Sequence, residues 1–201
     1  EVVYRVTKAR KGNAEGRVLE TLAPGACERR ESLCPAVGVC GGCLYQTLPY
    51  AEELKLKEQL LQRLLGEAIG EDFLWEGLTA SPRENAYRMK MEYSFGDAYR
   101  DGPLTLGMHK RGSHYDIVET DRCELVHEDL NLALRETLRF FRERKVPFYH
   151  KLRHEGYLRF LLARRGTHRK ELLLDLVTSS QLPTEEEREL LRAWRELMCS
   201  L

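Results

Sequence analysis

The stretch from Cys34 to Cys43 contains the side chains best suited to chemistry. It places three thiols, those of Cys34, Cys40 and Cys43, within ten residues in the pattern C-x5-C-x2-C. Only Gly41 and Gly42 separate the last two, and glycines let the backbone come close to a bound group. Three convergent thiolates indicate a metal or iron–sulfur site. A fourth ligand is needed, because structural zinc takes four N or S ligands and cubane clusters usually take four cysteines.

Two other cysteines are candidates for the fourth ligand. Cys27 lies close by and would complete a local C-x6-C-x5-C-x2-C set, which favours zinc. Cys123 is distant and directly follows a predicted strand at 115–119. Lone cysteines are usually small core hydrophobes, and Cys199 fits that description. A radical S-adenosylmethionine site is disfavoured because its cysteine triple has a tighter first spacing. The residues alone leave zinc and an iron–sulfur cluster both open.

Three groups of basic residues are candidates for contact with phosphates. One group lies on a predicted strand, one in the loop after the next strand, and one in a turn near residue 167. Single charged side chains are usually just solvated, but as a set they could neutralise a nucleic-acid backbone without reading its sequence. The candidate RNA-binding residues are Arg88, Lys90, Lys110, Arg111, Arg164, Arg165, Arg169 and Lys170.

Composition limits the class of protein. The chain has 201 residues, and 32 Lys+Arg balance 32 Asp+Glu, so any affinity for a polyanion must be local. No apolar run approaches the length of a membrane span, and the first residues lack the plan of a signal peptide. Six cysteines in a chain of this length do not suggest a disulfide framework. We therefore expect a monomer in the reducing cytoplasm, without a membrane partner.

Hydrophobic periodicity predicts an α+β fold with a mainly antiparallel sheet and flanking helices. Alternation from Tyr87 to Phe95 places Tyr87, Met89, Met91, Tyr93 and Phe95 on one face of a strand. Thr184 and Glu187 form a potential capping box. The predicted strands are 2–6, 16–22, 87–95, 104–109, 115–119, 157–163 and 171–177, the helices are 49–69, 128–145 and 185–198, and a cysteine loop spans 23–43.

No catalytic constellation is recognisable. The chain has no G-x-G-x-x-G before a helix, no phosphate-binding P-loop and no nucleophile elbow. None of its cysteines or serines has an evident neighbouring base. We therefore assign no catalytic residue and no cofactor-binding residue other than the cysteines.

Several motifs together resemble the iron–sulfur-containing RNA uracil-5-methyltransferases. The resemblance runs in order along most of the chain and rests on sets of spaced residues. These are Cys34-x5-Cys40-Gly41-Gly42-Cys43-x2-Gln46, Ser81-Pro82 with Tyr87-Arg88-x-Lys90, Leu106-Gly107-x-His109-Lys110 continuing to Asp116-Ile117-Val118-x4-Cys123, and Leu158-x-Phe160-x2-Ala163-Arg164.

The resemblance implies a set of ligands and partners. Cys34, Cys40, Cys43 and Cys123 would bind a [4Fe–4S] cluster, and the RNA, expected to be 23S ribosomal RNA, would be methylated with S-adenosylmethionine. Family members begin with an RNA-binding TRAM β-barrel and end with a domain that binds S-adenosylmethionine and carries the catalytic cysteine and base.

The same resemblance implies a division of the chain. Residues 1–22 would be the last strands of a TRAM-like barrel, and residues 23–201 a central iron–sulfur domain that includes the helix at 49–69. The methyltransferase domain would lie outside this sequence, so the chain is expected to be an inactive fragment of a longer enzyme. The alternative is a standalone zinc- or cluster-containing RNA-binding module without catalysis.

Overall fold

The computed structural model describes residues 1–28, 31–70 and 72–201; residues 29 and 30 of the predicted cysteine loop lie outside the described part. The described residues form ten helices and strands. The strands are β1 (Val2–Arg10), β2 (Asn13–Thr21), β3 (Lys90–Asp97), β4 (Leu104–His109), β5 (Ile117–Glu119), β6 (Leu158–Arg165) and β7 (Leu172–Thr178), and the helices are α1 (Tyr50–Ile69), α2 (Glu128–Glu143) and α3 (Thr184–Cys199).

The chain divides into two compact units. The first contains Glu1–Glu31 and Tyr45–Ala80, and the second contains Ser32–Leu44 and Ser81–Leu201. The helix α1 falls in the first unit, and the cysteine stretch falls in the second. The domain division expected from the sequence remains a prediction.

The first unit contains the hairpin β1–β2 and the helix α1. Lys11 and Gly12 join the strands with φ of 49° and 80°, the two successive positive values of a type I′ turn. All residues of both strands are exposed. Helix α1 starts after Pro49 and ends at Gly70, as predicted, but none of its residues is buried. Its leucines thus form an apolar stripe without a covering layer in this unit.

The second unit is built on a five-stranded sheet in the order β5-β4-β3-β6-β7, with every neighbouring pair antiparallel. This confirms the predicted α+β class. Strand β3 lies at the centre and pairs Ser94 with Gly107 of β4 and with Phe160 of β6. The absence of a side chain at Gly107 lets β4 approach β5 closely, because a Cβ at this position would stand 2.0 Å from the Val118 carbonyl oxygen.

The core lies between one face of this sheet and the helices α2 and α3. The alternation predicted for β3 is confirmed where the strand is formed, since Met91, Tyr93 and Phe95 are buried. Tyr87 precedes the strand and is 51% exposed. The predicted stripe of α2 is also buried and packs on the sheet face, with Leu130, Leu134, Leu138 and Phe141 in the core.

Helix α3 begins at the predicted place but not by the predicted capping box. Pro183 occupies the N-cap position, and no side chain in the described structure caps it. The carboxylate of Glu187 instead accepts a hydrogen bond of 2.8 Å from the hydroxyl of Tyr157. A tertiary contact with a buried tyrosine has replaced the local contact that the sequence suggests, and it ties α3 to the start of β6.

Candidate metal centre and RNA-contact residues

The cysteine stretch is held by the loop that follows β4. The amide of Gly41 donates to the His109 carbonyl at 3.1 Å, and the amide of Arg111 donates to the Val39 carbonyl at 2.8 Å. Cys40 and Lys110 are paired as an isolated antiparallel bridge. These backbone bonds continue the edge of the sheet into the loop. They fix a Gly-rich segment that has little side-chain packing of its own.

Arg111 adds a side-chain contact to the same loop. Its Nη2 atom donates to the carbonyl oxygen of Cys43 at 2.7 Å, across 68 residues of sequence. The sequence predicts that this guanidinium contacts RNA. The structure shows that one of its N–H groups is already used to position a cysteine, so Arg111 supports the cysteine loop.

Cys123 lies in the same unit but in a different loop, and α2 positions it. The buried side chain of Asn131 accepts a hydrogen bond from the Cys123 amide and donates to the Cys123 carbonyl, each at 3.2 Å. Arg135, one turn further along α2, donates to the Asp121 carbonyl at 2.9 Å. The segment before α2 is therefore anchored at two carbonyls.

The four thiols are close enough to influence one another electrostatically. Burial raises the pKa of the Cys43 thiol, and negative charge on Cys123, Cys40 and Cys34 raises this pKa further, whereas the Arg88 guanidinium lowers it. All four cysteines are half-buried free thiols. Negative charges placed close to a thiol in this way disfavour its thiolate form.

Several N–H groups donate to the sulfurs. Burial raises the pKa of the Cys123 thiol, while hydrogen bonds from the backbone amides of Leu125 and Val126 lower it. The amide of Gly42 donates to Cys40 Sγ at 3.4 Å. N–H donors favour the thiolate over the thiol, and the thiolate is the form that binds metals.

The thiols do not form a closed ligand set. Within the described ranges, no three Cys, His, Asp or Glu side chains converge closely enough to hold a metal ion between them. The cysteines are thus assembled in one region, but the metal site predicted from the sequence is not formed by the geometry alone. The assignment of Cys34, Cys40, Cys43 and Cys123 as ligands stays a prediction. Cys27 belongs to the other unit, and Cys199 is exposed at the end of α3.

Tyr93 contributes an unusual polar group next to this region. Its side chain is fully buried on the core face of β3, and its hydroxyl has no hydrogen-bond partner among the described residues. Burial raises the pKa of Tyr93, and the charge of Cys123 raises it further. A buried hydroxyl without a partner costs free energy, so this group points to an acceptor that the protein atoms do not supply.

The predicted RNA-contact residues fall into different settings. Lys90 of β3 and Arg164 of β6 are directly opposite in the sheet register and both are exposed. Arg88 precedes β3 and is bonded through its backbone to Leu125. Because Lys90 and Arg164 face each other, their positive charges repel, and a bound phosphate would relieve that repulsion.

The remaining basic residues differ in availability. Arg169 and Lys170 are exposed in the turn closed by the 2.9 Å bond from the Gly166 amide to the Glu171 carbonyl. Exposed Lys110 lies 3.9 Å from a carboxylate oxygen of half-buried Asp116.

Arg165 is different from its neighbours. Its side chain is only 8% exposed and donates to the Asp129 carboxylate at 2.8 Å, which lowers the pKa of Asp129. This guanidinium ties β6 to the first turn of α2. The free cation expected at this position is therefore already neutralised.

The sequence did not predict two polar contributions to this region, the side-chain amide of Asn131 and the hydroxyl of Tyr93. A signal existed for Asn131, since it is a polar residue beside Leu130 on the apolar side of an amphipathic helix. No signal existed for the hydroxyl of Tyr93, because a tyrosine on a buried strand face usually finds a partner.

The sequence of this chain is similar to those of known proteins over most of its length. It is 44% identical over 181 residues to an uncharacterised RNA methyltransferase of Caldanaerobacter subterraneus and 42% identical over 184 residues to one of Clostridium acetobutylicum. Each match covers 90% of this chain and 40% of the relative. No protein-family model matches the chain.

A solved structure has a similar fold. The crystal structure of Pyrococcus abyssi tRNA (uracil-54, C5)-methyltransferase in complex with S-adenosyl-L-homocysteine matches with a TM-score of 0.61 and 23% identity, over 91% of this chain and 40% of that protein. The comparisons do not favour the standalone module without catalysis. The chain is thus similar over most of its own length to proteins named RNA methyltransferases, and it spans about 40% of the length of the curated relatives it matches.

Proposed function

We propose that this chain is the cluster-bearing and RNA-engaging part of an S-adenosylmethionine-dependent RNA uracil-5-methyltransferase that acts on ribosomal RNA. The observation that carries the proposal is that two separate loops bring four cysteines into one unit of the fold, where burial, and then negative charge on Cys123, Cys40 and Cys34, raises the pKa of the Cys43 thiol. Thiolates that repel one another in this way would be stabilised by a cationic group bound among them.

The donor chemistry fits a [4Fe–4S] cluster. Cys34, Cys40, Cys43 and Cys123 supply four thiolates, the usual complement for a cubane. The amides of Gly42, Leu125 and Val126 donate to the sulfurs, as expected where thiolate charge must be stabilised. When bound, the cluster supplies iron–thiolate bonds that join the 34–43 loop to the segment before α2.

The role of this part is to hold RNA, and the exposed cations support it. Lys90 and Arg164 face each other across β3 and β6, and Arg169 and Lys170 lie in the turn that joins β6 to β7. Arg88 contributes its charge close to Cys43. Such residues neutralise phosphates and fix the position of the RNA without specifying its sequence.

Methyl transfer is proposed for the longer protein, since the relatives are more than twice the length that this chain spans. The solved structure of similar fold is a tRNA uracil-C5 methyltransferase with S-adenosyl-L-homocysteine bound. Its chemistry agrees with the uracil-5 activity that the cysteine and β4 motifs suggested. We assign no catalytic residue within residues 1–201.

The experiment compares the 201-residue chain with the protein encoded by its full reading frame. Both are incubated with methyl-labelled S-adenosylmethionine and either ribosomal RNA or tRNA. We expect 5-methyluridine in ribosomal RNA with the longer protein only. Methylation by the 201-residue chain would show that the catalytic unit is misassigned, and transfer only to tRNA would contradict the ribosomal substrate.

No described helix is both long and apolar enough to cross a bilayer.

A further inference from the structure

We propose that a cleft beside β3 and β6 binds one unpaired nucleotide of the RNA. The inference rests on the proposed function only in taking RNA as the ligand. Aromatic rings of Tyr115, Phe148, Tyr149 and Phe160 line the cleft. Tyr115 is 60% exposed, so a ring face is open to a planar partner. Bases removed from a helix stack on such rings, and stacking tolerates any base.

The charge of the cleft suits a phosphate. Lys151 and Arg159 line it, together with one carboxylate, that of Asp97. The Arg159 guanidinium lies over the Tyr149 ring, 4.8 Å from its centroid, and 5.8 Å from the centroid of Phe160. These cation–π contacts hold the guanidinium beside the rings, where a backbone phosphate attached to a stacked base would lie.

Polar groups at the cleft can recognise the edge of a base. Ser94 Oγ and His109 Nε2 are 3.4 Å apart. The Nδ1 atom of His109 is buried and has no hydrogen-bond partner in the described part of the chain. Burial, together with the charges of Lys151 and His114, lowers the pKa of His109. A neutral imidazole keeps both a donor and an acceptor nitrogen.

The dimensions favour part of a nucleotide over a whole small molecule. The cavity volume is about 60 Å³, and the empty space of the cleft together with its open mouth is about 540 Å³. A planar base could enter by one edge while its sugar and phosphate remain at the mouth. Bases inside a duplex cannot do this, because their Watson–Crick edges are paired and both of their faces are stacked on neighbouring bases.

The test uses the 201-residue chain with an RNA hairpin that has an unpaired loop and with a duplex of the same stem sequence. One loop base is replaced by 2-aminopurine, whose fluorescence is quenched on stacking. We expect tighter binding of the hairpin and quenching by the parent chain. Tyr115→Leu should lower hairpin affinity by about tenfold and abolish the quenching, with the duplex affinity unchanged.

Matched controls separate the cleft from general effects. Tyr99 is 63% exposed and lies outside the cleft, so Tyr99→Leu should bind both RNAs like the parent. For the hairpin, Lys151→Gln should make the fall of log affinity with log salt less steep, reducing the magnitude of the slope by about one. Lys145→Gln, in another exposed loop, should not change that slope.

The binding measurements distinguish failure of the nucleotide cleft from failure of RNA binding by this chain. Equal hairpin affinity and quenching in the parent and Tyr115→Leu would overturn the nucleotide cleft while leaving RNA binding intact. Binding of neither RNA by the parent would overturn RNA engagement by this chain, and the cleft with it.

Discussion

Asn131 holds the backbone of Cys123 on both sides, accepting from its amide and donating to its carbonyl at 3.2 Å each. The asparagine is 4% exposed, so water cannot replace these bonds. A helix in the core thereby sets the position of a cysteine in a loop. The candidate metal site is for this reason coupled to the packing of α2 on the sheet.

Replacing Asn131 with Ala should destabilise the protein and loosen Cys123. The variant leaves the amide and the carbonyl of half-buried Cys123 without the Asn131 partner, which should lower the free energy of unfolding by about 2 kcal/mol. Iron retention after anaerobic purification should fall as well. Urea denaturation and iron analysis measure the two effects. Asn85→Ala, at an exposed loop position, serves as the control and should change neither.

Tyr93→Phe should have opposite effects with and without the cluster. In chain purified without metal, the variant removes a buried hydroxyl that lacks a partner, and unfolding should require about 1 kcal/mol more free energy. In cluster-loaded chain, the hydroxyl is expected to donate to a sulfur, so the variant should release iron to a chelator faster. Identical release rates from parent and variant would remove Tyr93 from the environment of the cluster.

Tyr157→Phe should weaken the attachment of α3 at neutral pH. The tyrosine donates to Glu187 at 2.8 Å and is 1% exposed, so its loss should cost about 1 kcal/mol of unfolding free energy. Burial and this hydrogen bond raise the pKa of Tyr157 from its ordinary 10.0 to about 12. The protonated form is favoured in the folded state, so the contribution is complete below pH 10 and is lost as the pH rises towards about 12.

The predicted difference between parent and Tyr157→Phe is therefore constant from pH 7 to pH 10 and shrinks above pH 10. Urea denaturation at several pH values measures it. Tyr99→Phe, at an exposed position, is the control for a lost tyrosine hydroxyl. A difference that grew above pH 10 would contradict the assigned direction of the pKa change.

Replacing Arg164, Arg169 and Lys170 together by Ala should weaken RNA binding and reduce its dependence on salt. Arg165 is kept, because its side chain pairs with Asp129 and its loss would disturb β6 and α2. The stability of the triple variant should equal that of the parent. Gel-shift titrations at several salt concentrations measure the slope. Parent-like affinity and slope would make this turn an ordinary solvated loop.

The sequence was sufficient to predict the elements that have a strong hydrophobic period. The buried face of β3 and the stripe of α2 are examples, because each side chain on that face packs in the core. Helix α1 shows that a hydrophobic period does not by itself predict burial. Its leucines have the same helical spacing, but none is buried in its unit. Periodicity indicates which face is apolar, and it does not say whether another element covers it.

The candidate site was predictable only in part. The cysteine spacing identified the thiols, but the contact of Asn131 with Cys123 depends on how α2 packs against a loop. Likewise, Arg165 looks like its neighbours in a basic run, and only the strand register turns it towards Asp129 and the core. Glu187 satisfied a local capping pattern, but its carboxylate instead accepts a hydrogen bond from the buried tyrosine that directly precedes β6.

Iron and acid-labile sulfide, measured on the 201-residue chain after anaerobic purification, test the central claim most directly. We expect about four of each per chain, most of it lost in Cys123→Ser and kept in Cys27→Ser. These two substitutions are matched in chemistry and differ in the unit of the fold that they alter. Colourless protein with stoichiometric zinc, or loss of metal in Cys27→Ser but not in Cys123→Ser, would contradict the four-cysteine cluster.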